Sequence, residues 1–250
     1  MARPILIGLL TICVFCLTSL TVKAQDKPLQ KHILILVTQA DKMTSGKSTG
    51  LWLEEYAVPY NLFKSNGCVI TTATLNGGKA PVDDRSKPSA EQASNWKQAI
   101  EQLNQIVALN SVDISKMDAI VIPGGHGVMF DLADSLAATK VIETFNQQNK
   151  IIAAICHGPA ALVKAKDRNG KPLVSGKDVT GFSDAEEAAV NLVDDMPFLL
   201  ESKLKELGAK VTTTSNFKPY AIQSGNLITG QNPASSHAAA ELVIKALKQK

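Results

Sequence analysis

Three short stretches of this 250-residue chain set chemically capable side chains where the backbone must turn. In "KIIAAICHGPAALV", Lys150 to Val163, an apolar run ends on Cys156 and His157, with Gly158 and Pro159 directly behind. A strand that stops in a tight turn and feeds a helix exposes the residue at its tip, the arrangement known as a nucleophile elbow. Gly158 relieves crowding there, and Pro159 suits the first turn of a helix. Free N–H groups and the positive end of a helix dipole would favour thiolate and lower the pKa of Cys156. The alternative is a cysteine that merely packs as a small apolar residue; motif and position together favour the reactive one, although Ala154 stands where the hydrolase form of the elbow carries glycine. Three roles are open to His157: base toward Cys156, backbone N–H donor to an oxyanion, or a ring that only packs.

The second stretch is "PGGHG", Pro123 to Gly127, which ends another apolar run. Consecutive glycines let a backbone approach a ligand closely and aim N–H groups at it. Gly125 is the expected oxyanion donor, with His126 beside it on the substrate side. The third is "TGLWLEEYAVPY", Thr49 to Tyr60. At ~100° per helical residue, Leu51, Trp52, Tyr56, Pro59, Leu62 and Phe63 share one arc, and Glu55 falls in its middle while Glu54 faces the polar side. A carboxyl on an apolar face has a raised pKa, which suits it to proton transfer near neutral pH.

Elements that could position these groups are legible in the pattern. The β-branched runs His32 to Val37, Cys68 to Leu75, Asp118 to Gly125 and Ile151 to Cys156 alternate with amphipathic segments. That alternation predicts βαβ units, and hence a single α/β domain: a doubly wound, mostly parallel sheet with helices on both faces. Helices are expected from Leu51, over Glu91 to Leu109, over Asp131 to Asn149, from Pro159, over Pro197 to Leu207, and over Ala234 to Leu247. The stretch "NGGKAPVDDRSKPS" reads as a loop. Ligands of such sheets bind beyond the carboxyl ends of the strands. Cys156 closes its strand and Cys68 opens its own, so at ~3.3 Å per residue the two thiols should lie roughly 15 to 20 Å apart, beyond disulfide reach.

The first 24 residues, with Arg3 ahead of an apolar core from Ile5 to Leu20 and small residues at Val22 and Ala24, have the form of a secretory signal peptide. The expected product is a domain over residues 25–250, exported to a periplasmic or secreted location, with no stable membrane insertion after cleavage. Without Arg3 and Lys23 the chain keeps 24 basic against 23 acidic residues, a net of +1. That balance, and the absence of aromatics interleaved with basic clusters, gives no support to nucleic-acid binding. The four histidines, His32, His126, His157 and His237, form no HxxxH or Cys/His ligand spacing, so no metal is expected.

Taken in order, "TGLWLEEYAVPY", "IPGGHG", "AAICHGPAAL", "GKDVTGFSDAEE" and "LITGQNPASSHAAAELV" resemble the DJ-1/PfpI superfamily, whose flavodoxin-like fold is shared with class I glutamine amidotransferases, and within it the Hsp31-like, glyoxalase III branch. By that resemblance Cys156 is the nucleophile, His157 its adjacent histidine and Glu55 the carboxylate beside the thiol. Asp184, Glu186 and Glu187 are candidates for the acid that completes a triad. Many relatives carry histidine before the proline of the first motif, where this chain has Val58. The implied activity is cofactor-free conversion of a 2-oxoaldehyde, methylglyoxal, to lactate, with deglycation of glycated amines as a related proposal and a homodimer as the expected assembly. A glutaminase would need a distant histidine with glutamate two residues on, whereas His237 is followed at that spacing by Ala239. Cysteine peptidase, redox sensor and holdase are the other readings of the same motifs.

Overall fold

A computed structural model describes residue 1 and residues 30–250; the expected signal segment lies outside the described residues, apart from Met1. Among the described residues no helix is long and apolar enough to cross a membrane.

The centre is a seven-stranded sheet. In chain order its strands are β1 (His32–Leu36), β2 (Val69–Thr74), β3 (Val107–Ala108), β4 (Ala119–Ile122) and β5 (Ile151–Ile155). A parallel pair, β6 (Asp178–Val179) and β7 (Lys210–Val211), stands apart from it. The sheet is completed by β8 (Ala221–Ser224) and β9 (Leu227–Gly230). Its spatial order is β3-β2-β1-β4-β5-β9-β8, parallel throughout except for the antiparallel β8 and β9 pair. The central strands "HILIL", "AIVI" and "IIAAI" are buried almost without interruption, as strands covered on both faces must be. In register, Ile33 lies beside Ile70 and Ala119, and Ala119 beside Ile151.

Seven α-helices accompany the sheet among the described residues: α1 (Leu53–Ser65), α2 (Ala90–Asn95), α3 (Lys97–Gln102), α4 (Leu136–Gln147), α5 (Asp184–Ala189), α6 (Leu200–Glu206) and α7 (Ser236–Lys248). The β1-α1-β2 and β4-α4-β5 crossovers step in opposite directions across the sheet, so right-handed connections place α1 and α4 on opposite faces. Helix α7 packs on α1 and against β5 and β9. The reversal between β1 and β4 is the switch point where such sheets open a crevice at their carboxyl edge.

Several expected elements differ in extent. The single helix over Glu91 to Leu109 is two, α2 and α3, meeting at a non-helical Trp96 (φ −101°, ψ 9°). Of the apolar arc expected there, Ala93, Trp96, Ile100, Leu103 and Val107, Trp96 is buried, Ala93, Ile100 and Leu103 are half-buried and Val107 is exposed; Val107 and Ala108 leave the helix to pair with Ala73 and Thr74. From Pro159 there is one 3-10 turn, Gly158–Leu162, instead of an α-helix. Its bonds run three residues back, from Ala160 N–H to His157 O and from Val163 N–H to Ala160 O. Helices α1, α4 and α6 begin two to five residues later than expected. The β8 and β9 hairpin was not expected. Its two-residue loop puts Gly225 at φ 64° with Asn226 next, a pairing that favours tight hairpin turns. Cys68 and Cys156 are both free, at opposite ends of their strands.

Candidate active site

Cys156 follows β5 directly and has φ 58°, a left-handed backbone uncommon outside glycine. Both of its backbone groups are held there: its N–H donates to Gly230 O at 2.8 Å, and its carbonyl accepts from Phe182 N–H at 2.9 Å. Gly158 must lack a side chain, because a Cβ would lie 2.2 Å from Ile122 O. These constraints form the elbow and turn Sγ toward the β4 loop.

That loop brings Gly124 and Gly125 against the thiol. A Cβ on Gly125, which has φ 94°, would lie 2.2 Å from Gly50 O. The backbone N–H groups of Gly125 and His157 both point at Sγ and favour its charged form. Gly124 N–H donates to Glu55 Oε2 at 2.7 Å, anchoring a carboxylate that enters from the first turn of α1. Glu55 is fully buried, and Oε1 makes no hydrogen bond of standard geometry.

Glu55 and Cys156 form a buried, coupled pair. Burial pushes the Glu55 carboxyl up to about 8, against the lowering effects of Gly124 N–H and the thiol. Burial, then the neighbouring Glu55, raise the Cys156 thiol well above its ordinary value, outweighing the two N–H groups aimed at it. The expectation of a thiol pKa lowered by a helix dipole is therefore corrected, since the elbow feeds a single 3-10 turn and the dominant neighbour is an acid. In the resting site the pair holds its protons.

On the other side of the thiol, His157 Nδ1 lies 3.4 Å from Sγ, and His157 Nε2 lies 2.8 Å from Glu187 Oε2. Glu187 therefore stands behind His157 in the position of a triad acid. Asp184 does not: its carboxylate accepts from Ser202 on α6. Nor does Glu186, whose carboxylate accepts from Ser183, Phe217, Gln231 and Asn232. His126, expected on the substrate side, has an additional place: its Nε2 lies 2.9 Å from Glu187 Oε1. The two imidazoles pack against each other at a 40° tilt with centroids 4.1 Å apart.

Proton positions follow from the partners. Arg85 Nη2 donates to His126 Nδ1 at 3.1 Å; a guanidinium can only donate, so Nδ1 accepts and Nε2–H donates to Glu187. Asp83 holds the same guanidinium with bonds of 2.9 Å and 2.6 Å. Despite its burial, Glu187 is brought down to about 2 by hydrogen bonds from the two histidines. As an anion it accepts His157 Nε2–H. Burial, then His126, lower His157 to about 4, so its ring is neutral with the Nδ1 lone pair facing the thiol.

His126, His157 and Glu187 each offer a ligand atom within 4.8 Å of the others, and the nitrogens that face Glu187 are the two Nε2 atoms. Binding would require both Nε2 atoms to give up hydrogen. His126 would then carry its proton on Nδ1, directly against the Arg85 donor. The donor set fits a hydrogen-bonded relay and does not fit a metal centre.

The site opens into a cavity of about 170 Å³. Arg85, Gly125, His126, Cys156 and His157 line its polar end, and Trp52, Phe182, Val190, Phe217 and Pro233 the apolar remainder. Sequence reasoning missed Arg85, Asp83, Phe182, Val190, Phe217 and Pro233, and placed Trp52 only on the apolar arc around Glu55. The only signal was the adjacent "DDR" within a stretch read as a plain loop. His237, the distant histidine, is exposed on α7 beside Glu241.

Residues 48–246 match the DJ-1/PfpI family profile. The chain belongs to the DJ-1/PfpI family. Among DJ-1/PfpI relatives it is similar to the glutathione-independent glyoxalase HSP31 of Saccharomyces cerevisiae, with 27% identity over 234 residues, 87% of this chain and 98% of that protein. Of solved structures in or near the family, glyoxalase III of Candida albicans superposes with a TM-score of 0.80 at 25% identity, covering 87% of this chain and 98% of the other. The Rapid Encystment Protein 24 KDa of Francisella tularensis superposes with a TM-score of 0.82 at 35% identity, covering 87% and 99%. The DJ-1/PfpI type of α/β sheet is thus confirmed.

Proposed function

We propose that this chain is a glutathione-independent glyoxalase that converts methylglyoxal to lactate without a cofactor. The observation that carries the reading is the placement of Cys156 between two buried proton carriers, Glu55 on one side and His157 with Glu187 on the other. The names of the relatives, glyoxalases over most of their length, support the same reaction class.

The thiol adds to the aldehyde carbon C1, forming an S–C1 bond while the thiol proton passes by way of His157 Nδ1 to the carbonyl oxygen. Gly125 and His157 N–H groups stabilise the developing oxyanion. The Glu55 carboxylate then removes the C1 proton and returns it to C2 through an enediol, while the proton on the C1 oxygen passes to the C2 oxygen, so that C1 becomes the carbonyl and C2 carries the hydroxyl. The product is a lactoyl thioester, at the same overall oxidation level as the substrate. Neutral His157, backed by Glu187, takes a proton from the water that cleaves the thioester and returns it to sulfur. With Glu55 at about 8, roughly a tenth of the site has the working carboxylate at pH 7.

A redox sensor needs an accessible thiolate, whereas Cys156 is 3% exposed and holds its proton. The exposed position of His237 gives no support to a glutaminase-type relay. Export, supported by the Arg3-led apolar stretch, and the homodimer and deglycase readings implied by the resemblance, are parts of the same proposal.

The test is direct. Residues Gln25 to Lys250 are incubated with methylglyoxal in the absence of glutathione, beside Cys156→Ser and Glu55→Gln, and lactate is measured. Lactate from the parent and from neither variant supports the mechanism. A parent that makes none refutes it.

A further inference from the structure

Phe217 breaks two rules at once. It has a left-handed backbone (φ 60°), and it is a large apolar side chain 48% exposed to solvent. A bulky residue in that conformation is strained and persists only where its surroundings impose it.

The surroundings do so through Glu186. This carboxylate is fully buried. Its Oε1 accepts from Phe217 N–H at 2.7 Å and Asn232 Nδ2 at 2.8 Å, and its Oε2 from Ser183 N–H, Ser183 Oγ and Gln231 Nε2 at 3.0 to 3.1 Å. The segments tied together are those that carry Phe182, Glu187, Phe217 and Pro233. Asn216 Nδ2 also donates to Ala185 O, and Lys218 O accepts from Asn232, so the backbone is held on both sides of Phe217. The ring meets Phe182 at 6.3 Å between centroids, and Phe182 in turn packs on His157 at 4.6 Å.

Methylglyoxal carries only a methyl beyond its two carbonyl groups, against five apolar residues, Trp52, Phe182, Val190, Phe217 and Pro233, in the lining of the 170 Å³ cavity. With its aldehyde at Cys156, a small substrate leaves the apolar end unfilled. We propose that Phe217, positioned by Glu186, is a specificity-determining residue that makes the site select 2-oxoaldehydes with a branched or flat apolar substituent larger than methyl. The assignment of substrate class rests on the glyoxalase reading; the apolar selectivity of the cavity does not. A pocket contact worth one methylene already discriminates by about tenfold or more.

The experiment compares kcat/KM for methylglyoxal and 4-methyl-2-oxopentanal, read as the 2-hydroxy acids formed, on the purified protein and on Phe217→Ala. The expected result is a preference of about tenfold or more for the larger substrate, reduced severalfold in Phe217→Ala through KM more than through kcat. Glu186→Gln, where it folds, should lower the same ratio. Methylglyoxal turned over as well as or better than the larger substrate overturns the proposal and leaves the glyoxalase reading standing. Calorimetric titration with acetone and with 4-methyl-2-pentanone reads the cavity without turnover. Tighter binding of the larger ketone by the parent, lost in Phe217→Ala, supports apolar selectivity even in a protein that makes no hydroxy acid. Equal binding of the two ketones overturns it.

Discussion

Replacing Glu55 by glutamine should stabilise the protein, and by an amount that grows with pH. The buried carboxyl has its ordinary value of 4.5 raised to about 8. Between those values the folded chain holds a proton that the unfolded chain releases, so stability falls as pH rises. The favourable contribution is fully present below pH 4.5 and is lost as pH passes through about 8. At about 1.4 kcal/mol per decade, the full interval from 4.5 to about 8 amounts to at most ~5 kcal/mol. Glutamine has no proton to lose, and its carbonyl can still accept from Gly124 N–H. Urea unfolding of both proteins at pH 5, 7 and 9 gives the comparison. The excess stability of Glu55→Gln should rise by a few kcal/mol across that range, with activity lost throughout. Contributions from His157 and Glu187 largely cancel in the difference. A gap that stays constant, or that shrinks toward alkaline pH, would refute the buried, proton-holding carboxyl and with it the proposed base.

The same carboxyl shapes the kinetics: kcat/KM for methylglyoxal should climb about tenfold per pH unit below about 8 and level off above it, checked by a pH–rate profile. Glu187→Gln sets an amide N–H₂ against one of two imidazole N–H donors and should lower kcat roughly 10²-fold, with a stability loss of about 1–3 kcal/mol by denaturant titration. Acid should destabilise the parent from pH 4.5 toward 2 as Glu187 loses its anion, a loss that Glu187→Gln should lack; the His157 loss, from pH 6.5 toward 4 as its neutral ring is forced to charge, is offset in the parent down to pH 4.5 by the Glu55 proton and should emerge in an acid titration of Glu55→Gln. Gly125→Ala puts a Cβ 2.2 Å from Gly50 O at φ 94°, and should cost about 1–3 kcal/mol or more while reducing turnover.

Strand placement and the reactive positions were legible because both rest on short-range patterns. Apolar β-branched runs marked the four central parallel strands, and a cysteine at a strand end before Gly-Pro marked the elbow. Glu55 was found because a helix has a fixed angular step, so one acid could be seen to fall on an apolar arc. What stayed hidden depends on contacts between distant segments. Nothing near Glu187 distinguishes it from Glu186; only the fold turns one toward two histidines and the other toward the Phe217 and Asn232 backbone and side-chain donors. Arg85 and Asp83 sit in a Gly/Pro/Asp-rich loop whose composition hides their role. The thiol's pKa was misjudged in direction because local backbone effects are readable in a sequence, whereas enclosure beside an acid is not. The continuous helix over Glu91 to Leu109 failed for the same reason, as edge pairing with β2 claimed its last residues.

The groups around Cys156 are drawn from residues 55, 124–126, 156–157 and 187, which follow four different strands, β1, β4, β5 and β6. Parallel pairing of distant strands forms late and slowly, since loop closure precedes the contacts that reward it. During refolding, catalytic competence should therefore return only with the last phase, well after helix content. Until then the thiol lacks both proton carriers and the two N–H groups that hold an oxyanion.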